Sequence, residues 1–226
     1  MSIPTVVRPG RPAGQRDTRE LCLGVAEKLF AEGGFAGTSL RSICAGAGIS
    51  IATLLHHFET KEKLYGRVLG RIAESMQDYI PDPDMAVVDA GVVADMVERH
   101  LDWTAAFPHY SRLIMRELME NPVRAPQAKQ WHMRPVIGNW AKLIRQGQAA
   151  GALHDFDAEM FIFSFTGAIA HFYAASTTVG AILSIEEREQ VIARYRLWLR
   201  ESTLAMLRGF SLPPEGKVFD DVAADA

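Results

Sequence analysis

Few side chains in this sequence are grouped as catalysis or metal binding would require. The seven histidines are scattered without metal-ligand spacing. The adjacent pair His56-His57 would lie on a helix, where neighbouring residues face different ways, so it makes a poor metal site. There is no G-x-S-x-G, no Walker loop, no GxGxxG after a strand and no HExxH. Cys22 and Cys44 have no CxxC partner. They read as small core residues in a reducing compartment, not as a disulfide framework, a structural zinc site or a redox sensor. The expectation is a non-enzyme with no cofactor and no metal.

What the residues do suit is contact with a polyanion. Thr38-Ser39 opens a short helix with Leu40, Ile43 and Cys44 on its inner face, and Gly46 and Gly48 break it. Ser50, a good N-cap, opens a second short helix, Ile51-Ala52-Thr53-Leu54-Leu55-His56 to about Phe58. Two short helices joined by a glycine-containing turn and packed on a longer first helix make a helix-turn-helix unit. Its second helix fits the major groove and aims its N-terminal side chains at base edges.

The elements that must position this unit are legible on either side. Leu21, Cys22, Val25, Ala26, Leu29 and Phe30 recur at helical spacing, with Asp17 or Thr18 as cap and Gly33-Gly34 as stop. Thr60 caps a fourth helix with the stripe Leu64, Val68, Leu69, Ile72, Met76 and Tyr79, stopped by Pro81 and Pro83. Longer helices follow: Val87 to Ala106, Pro108 to Glu120, and Pro126 to Ala150 with a bend near Pro135. Asp157 caps a charge-free helix reaching about Thr178, and Ser184 caps a last helix reaching Arg208. The fold class is all-α with about nine helices and no β-alternation. The division by role is a flexible basic arm (1–16), a three-helix DNA-binding domain (17–66), a helical ligand-binding and dimerisation domain (67–209) and an acidic tail (210–226).

Residues from Thr18 to Leu69 resemble the N-terminal domain of the TetR family of transcriptional regulators. The matching positions are Leu29-Phe30, Gly34-Phe35, Thr38-Ser39-Leu40-Arg41, Ile43, Gly48-Ile49-Ser50, Thr53-Leu54, His57-Phe58 and Lys61-Glu62-x-Leu64. The resemblance implies that Ser39 touches phosphate and Arg41 reaches phosphate or a base. It also implies that Ser50 caps the recognition helix, that Ile51, Ala52, Thr53 and His56 face the major groove, and that Lys61 binds phosphate at the fourth helix's N-terminus. Leu55 stands where the family usually has a phosphate-binding tyrosine, and Ile51 where a polar residue is common. Both leave apolar contacts, such as a thymine methyl, more important, and predict altered operator preference. The alternative is a helical dimeric ligand- or protein-binding module that has lost specific DNA binding. His57, Leu54 and Phe58 read as structural. Ahead of the unit, Arg8-Pro9-Gly10-Arg11-Pro12 resembles an AT-hook core, so Arg8 and Arg11 either enter a minor groove or only add positive charge.

The later helices carry large apolar side chains and few converging polar groups, which suits a cavity for an apolar or aromatic effector. Candidate ligand contacts are Trp103, Phe107, Tyr110, Met115, Trp131, His132, Trp140, Phe165 and His171, with Glu117 and Asn139 as further polar anchors. The charge-free helix must be covered nearly all round, and the last helix offers Ile192, Tyr195, Leu199, Ser202 and Met206. Two such helices from each subunit would form a four-helix bundle, a homodimer as the resemblance also implies. The resemblance further favours repression over activation, and double-stranded operator DNA and a small molecule as partners.

Composition agrees. With 48% apolar and 23% charged residues the chain is not disordered, and a net charge of -3 does not bear on a basic surface confined to one end. Met160 to Ile185 is free of charge, but its serines, threonines and glycines dilute it, so no membrane span is expected. No apolar run follows a basic start, so no secretory leader is expected either. The expected location is the cytoplasm, in association with the nucleoid.

Overall fold

The computed structural model describes residues 13–81, 85, 87–120 and 132–209. Among them the chain forms nine α-helices and no strand. These are α1 (Ala13–Gly37), α2 (Leu40–Ala47), α3 (Ile51–Phe58), α4 (Lys61–Gln77), α5 (Ala90–Ala106), α6 (Pro108–Glu120), α7 (Arg134–Ala149), α8 (Ala158–Ile182) and α9 (Arg188–Leu207). Residues 1–12 of the basic arm, with Arg8 and Arg11, Trp131 and the 210–226 tail lie outside the described residues, whereas residues 13–16, expected in the flexible arm, are helical as the start of α1.

The described residues divide into two compact units. One takes those of Met1–Ser75 and Phe107–Arg134, the other those of Met76–Ala106 and Pro135–Ala226. The units are defined by packing and need not follow the division by role drawn from the sequence.

In the first unit α1 packs on α6 and on α2 and α3. Cys22, Ala26 and Phe30 are buried as the helical spacing predicts, whereas Leu21 faces solvent and Leu23 is buried in its place. α1 begins at Ala13, upstream of the expected cap at Asp17 or Thr18, and continues past Gly33 to Gly37. Gly34 takes φ 67 inside it, a left-handed conformation open to glycine, and kinks the helix there. After the kink the Thr38 hydroxyl donates to the Leu29 carbonyl at 2.9 Å. Residues 107–120, expected in the second domain, pack with the first because polar side chains fasten α6 to its neighbours. The buried Glu27 of α1 accepts from the Tyr110 hydroxyl of α6 at 3.1 Å and pairs with Arg71 Nε of α4 at 3.3 Å. Tyr65 of α4 donates to the buried Glu117 of α6 at 2.6 Å. Burial lifts the Glu27 carboxyl above its ordinary range, with Arg71 opposing. Burial and the facing Glu27 push the Tyr110 phenol up to about 12.

In the second unit α5 packs on α8 and α9, and α8 on α9. Arg200 of α9 reaches Asp95 at 2.8 Å and Glu98 at 3.2 Å on α5, and Arg196 pairs with Asp102. Asp157 caps α8 as expected, accepting from the Met160 N–H at 2.9 Å, and the helix runs past Thr178 to Ile182. The expected cap at Ser184 is not one. Ser184 sits in a turn at φ 55, and α9 starts only at Arg188, with Glu187 in the N-cap position and no side-chain cap bond. Pro135 does not bend α7. It lies in the first turn, where a missing N–H removes no helical bond.

Candidate functional site

The α2–turn–α3 segment is held by local bonds that its sequence encodes. Ser39 caps α2 by accepting from the Ser42 N–H at 3.0 Å, and Ser42 Oγ returns the favour to the Ser39 N–H at 3.2 Å. This reciprocal capping box uses a serine where glutamate is commoner. Gly48 ends α2 at φ 65, and its N–H bonds back to the Cys44 carbonyl. Ser50 then caps α3, accepting from the Thr53 N–H at 3.1 Å, and its hydroxyl also meets the Thr53 hydroxyl at 2.8 Å.

Burial sorts the side chains of α3. Leu54 and Phe58 are buried, Ile51, Ala52 and His56 are exposed, and Thr53 and Leu55 are half-exposed. Ile51 stands 40% exposed, unusual for a β-branched apolar side chain. Arg41 is exposed on the first turn of α2, and Ser39 beside it. Lys61, at the first turn of α4, holds its ammonium 4.3 Å from the centroid of the Phe35 ring. Phe35 in turn packs on Tyr65 at 5.1 Å and Phe30 at 6.2 Å. Sequence reasoning assigned Lys61 but missed Phe35 as its platform. The spacing between them crosses an element boundary, so no periodicity could reveal it. Arg19, also missed, lies over the Phe58 ring at 5.5 Å. Cations, hydroxyls and the outward face of α3 thus share one compact unit, an arrangement suited to backbone phosphates around a groove.

The effector candidates separate between the units. Trp103, Trp140 and Phe165 gather in the second unit around His100, which sequence reasoning passed over as one buried histidine among many apolar neighbours. Phe107, Tyr110, Met115 and His132 belong to the first unit. There Tyr110 stacks on Phe107 at 5.2 Å and is engaged with Glu27, and His132 is exposed beside Gly66 and Gly70 of α4. Glu117 is likewise engaged, with Tyr65. His171 is exposed on α8.

The outward surface of the last two helices carries several large apolar side chains among polar ones. Met160, Phe163 and Ile182 on α8, Leu183 at its end, and Leu197, Trp198 and Met206 on α9 are all exposed. The stripe expected to face a partner is only partly free. Leu199 is buried, and Tyr195 stacks on Phe172 of α8 at 3.7 Å. The outward apolar residues therefore lie one position round the helix, because α9 already uses the Tyr195–Leu199 side against α8 and α5. Among the described residues no group of histidine, cysteine and acid side chains could hold a metal, and no helix is long and apolar enough to cross a membrane.

Comparison with known proteins adds the following. Residues 23–68 match the family model described as bacterial regulatory proteins, tetR family, and residues 92–217 match that of the tetracyclin repressor-like C-terminal domain. The HTH-type transcriptional regulator UidR of Escherichia coli strain K12 is 34% identical over 139 residues, covering 60% of this chain and 69% of UidR. The HTH-type transcriptional regulator RutR of the same strain is 24% identical over 173 residues, 76% of this chain and 82% of RutR. Among solved structures, Salmonella enterica GusR superposes with a TM-score of 0.63 at 25% identity, covering 85% of this chain and 96% of GusR.

Proposed function

The chain belongs to the TetR family of bacterial regulatory proteins, a ligand-responsive DNA-binding transcriptional regulator, and on that premise we propose that it is a homodimeric repressor released from a palindromic operator by a small apolar or aromatic molecule. The observation that carries the reading is the doubly capped α3, whose Leu54 and Phe58 anchor it while Ile51, Ala52, Thr53, Leu55 and His56 turn outward. In this reading those side chains set sequence preference, while Ser39, Arg41, Ser50 and Lys61 position the unit on phosphates. Residues 17–66 do the DNA work and 67–209 the sensing and dimerisation. Arg8 and Arg11 form a minor-groove arm, to be tested by deleting residues 1–14. The regulator acts in the cytoplasm at the nucleoid and catalyses no reaction.

The exposed apolar residues of α8 and α9 support dimerisation through those helices, since a contiguous apolar surface rimmed by polar groups marks an interface. His171 then belongs to that surface rather than to the effector. A two-fold dimer sets the separation of two recognition helices, which must match major grooves about one turn, roughly 34–36 Å, apart. An effector that prefers a conformation with another spacing releases DNA by its differential affinity and no more. Helix α4 carries Lys61 at one end, and its last residues, Met76 and Gln77, belong to the second unit, so it is the covalent lever.

One observation favours a second reading, a dimer that binds ligand or protein but no specific DNA: the outward face of α3 presents Ile51 and Leu55. Fluorescence anisotropy on DNA from upstream of the protein's own gene, at two salt concentrations and against scrambled DNA, separates the two. Tight, selective binding that weakens steeply with salt is expected. Equal affinity for scrambled DNA favours the second reading.

A further inference from the structure

In the second unit His100 and Trp140 lie in a box of aromatic rings. His100 of α5 stacks on Trp103 with ring centroids 5.5 Å apart and planes 16° from parallel. It meets Trp140 of α7 at 5.3 Å and Phe165 of α8 at 5.8 Å, both edge to face, and Trp140 lies 5.4 Å from Phe165. His100 is 5% and Trp140 2% exposed. Yet His100 Nδ1 and Trp140 Nε1 have no hydrogen-bond partner among the described residues. Buried polar atoms in folded proteins are nearly always bonded, and a pair left open within one box is an exception that packing does not require. Phenylalanine at either position would supply an aromatic ring without an unpaired polar atom.

We propose that this box is the effector site and that its ligand is an uncharged aromatic molecule bearing a hydroxyl group, the ring lying among Trp103, Phe165 and their neighbours and the hydroxyl bonding Trp140 Nε1 and His100 Nδ1. The inference rests on the regulator reading and names the ligand class for it. The donor–acceptor inventory selects the hydroxyl. An indole N–H only donates, so its partner must accept. The imidazole Nδ1 donates or accepts according to tautomer. A hydroxyl has one proton and two lone pairs, and so satisfies both atoms in either tautomer. An ammonium would leave the indole unpaired. Charge is excluded by the surroundings. The rings that face His100 carry none, and burial pushes its imidazole down to about 3, so it is neutral at physiological pH. A carboxylate entering this box would lose its water without gaining a counter-ion. The ring walls favour a planar partner in offset or edge-to-face contact.

The test uses the purified full chain and three bicyclic probes: 2-naphthol, naphthalene and 2-naphthoate. Calorimetry is expected to give 2-naphthol at least about tenfold tighter binding than either of the others. Trp140→Phe, which removes the N–H together with part of the ring surface, should weaken 2-naphthol about tenfold more than it weakens naphthalene, and so should His100→Phe. If His100→Phe fails to fold, Trp140→Phe carries the test alone. The proposal is overturned if 2-naphthol does not bind, if the wild type does not prefer it to naphthalene, or if the preference survives Trp140→Phe. Operator binding of the same preparations separates the two levels. Selective DNA binding without a hydroxyl preference removes only the ligand assignment, whereas loss of selective DNA binding in the wild type removes the regulator reading beneath it.

Discussion

Replacing Trp198 by glutamate should convert the proposed dimer to a monomer. Trp198 is 60% exposed on α9, beside Leu197 at 64%, and its ring stacks on Tyr195 at 5.8 Å. A fully buried tryptophan removes roughly 250 Å² from water, so about 150 Å² remains for a partner to cover. At ~25 cal/mol per Å² that is ~4 kcal/mol per copy, and nearly twice that for the two copies a two-fold axis brings in. Association also restricts rotation and side-chain freedom, so this is an upper bound. If a third of it survives, losing it raises the dimer dissociation constant roughly fifty- to a hundredfold, and a buried carboxylate raises it further. Sedimentation velocity across a dilution series reads the change directly, with circular dichroism to verify the fold. Selective operator affinity should fall with the dimer, while salt-sensitive retention on heparin should persist, since each subunit keeps its cations. A Trp198→Glu protein that stays dimeric at the wild-type dissociation constant would refute the argument and move the interface off α9.

Three further outcomes are expected. Lys61→Ala should weaken DNA binding about equally on all sequences and reduce the slope of log affinity against log salt by about one. Phe35→Leu should produce a smaller version of the same change by removing the ring beneath the ammonium, and an unchanged slope in both would take Lys61 off the phosphate list. Because burial holds His100 well below its unfolded value of 6.5, to about 3, the folded state resists a proton that the unfolded state accepts. Stability should therefore be unaffected above about pH 6.5 and decline as pH falls from there toward about 3, by ~2 kcal/mol at pH 5. Thermal melts should show a Tm drop between pH 7 and 5 that is smaller in His100→Phe, and an equal drop in both would locate the acid sensitivity elsewhere. Gly147→Ala should destabilise the second unit by ~1–3 kcal/mol in chemical denaturation, because the new Cβ would stand 2.6 Å from Leu153 Cδ1 and 2.8 Å from the Val88 carbonyl oxygen. A neutral substitution there would mean that the loop yields freely.

Much of the DNA-binding unit was legible because its determinants are local. Ser39, Gly48 and Ser50 act within a turn or two of themselves, through cap bonds and a left-handed glycine. The outward setting of Ala52 and His56 agrees with helical period, whereas Ile51, three and seven residues before Leu54 and Phe58, was placed outward only by the family resemblance. The effector half was less legible. A list of tryptophans, phenylalanines and histidines holds core and site residues alike. Only the packing of α5, α7 and α8 shows that Trp103, Trp140 and Phe165 surround His100, while Tyr110 and Glu117 are committed to Glu27 and Tyr65.

By itself the sequence determined the all-helical class, and the caps and breaks of α2, α3 and the start of α8, since each depends on residues close along the chain. Tertiary structure alone decided that α6 packs with the first unit, that Phe35 carries Lys61, that α9 turns Leu197 and Trp198 outward, and that His100 and Trp140 share one buried box. Those outcomes depend on contacts between residues tens of positions apart, where side-chain volume and hydrogen-bond geometry choose among partners that periodicity leaves equivalent.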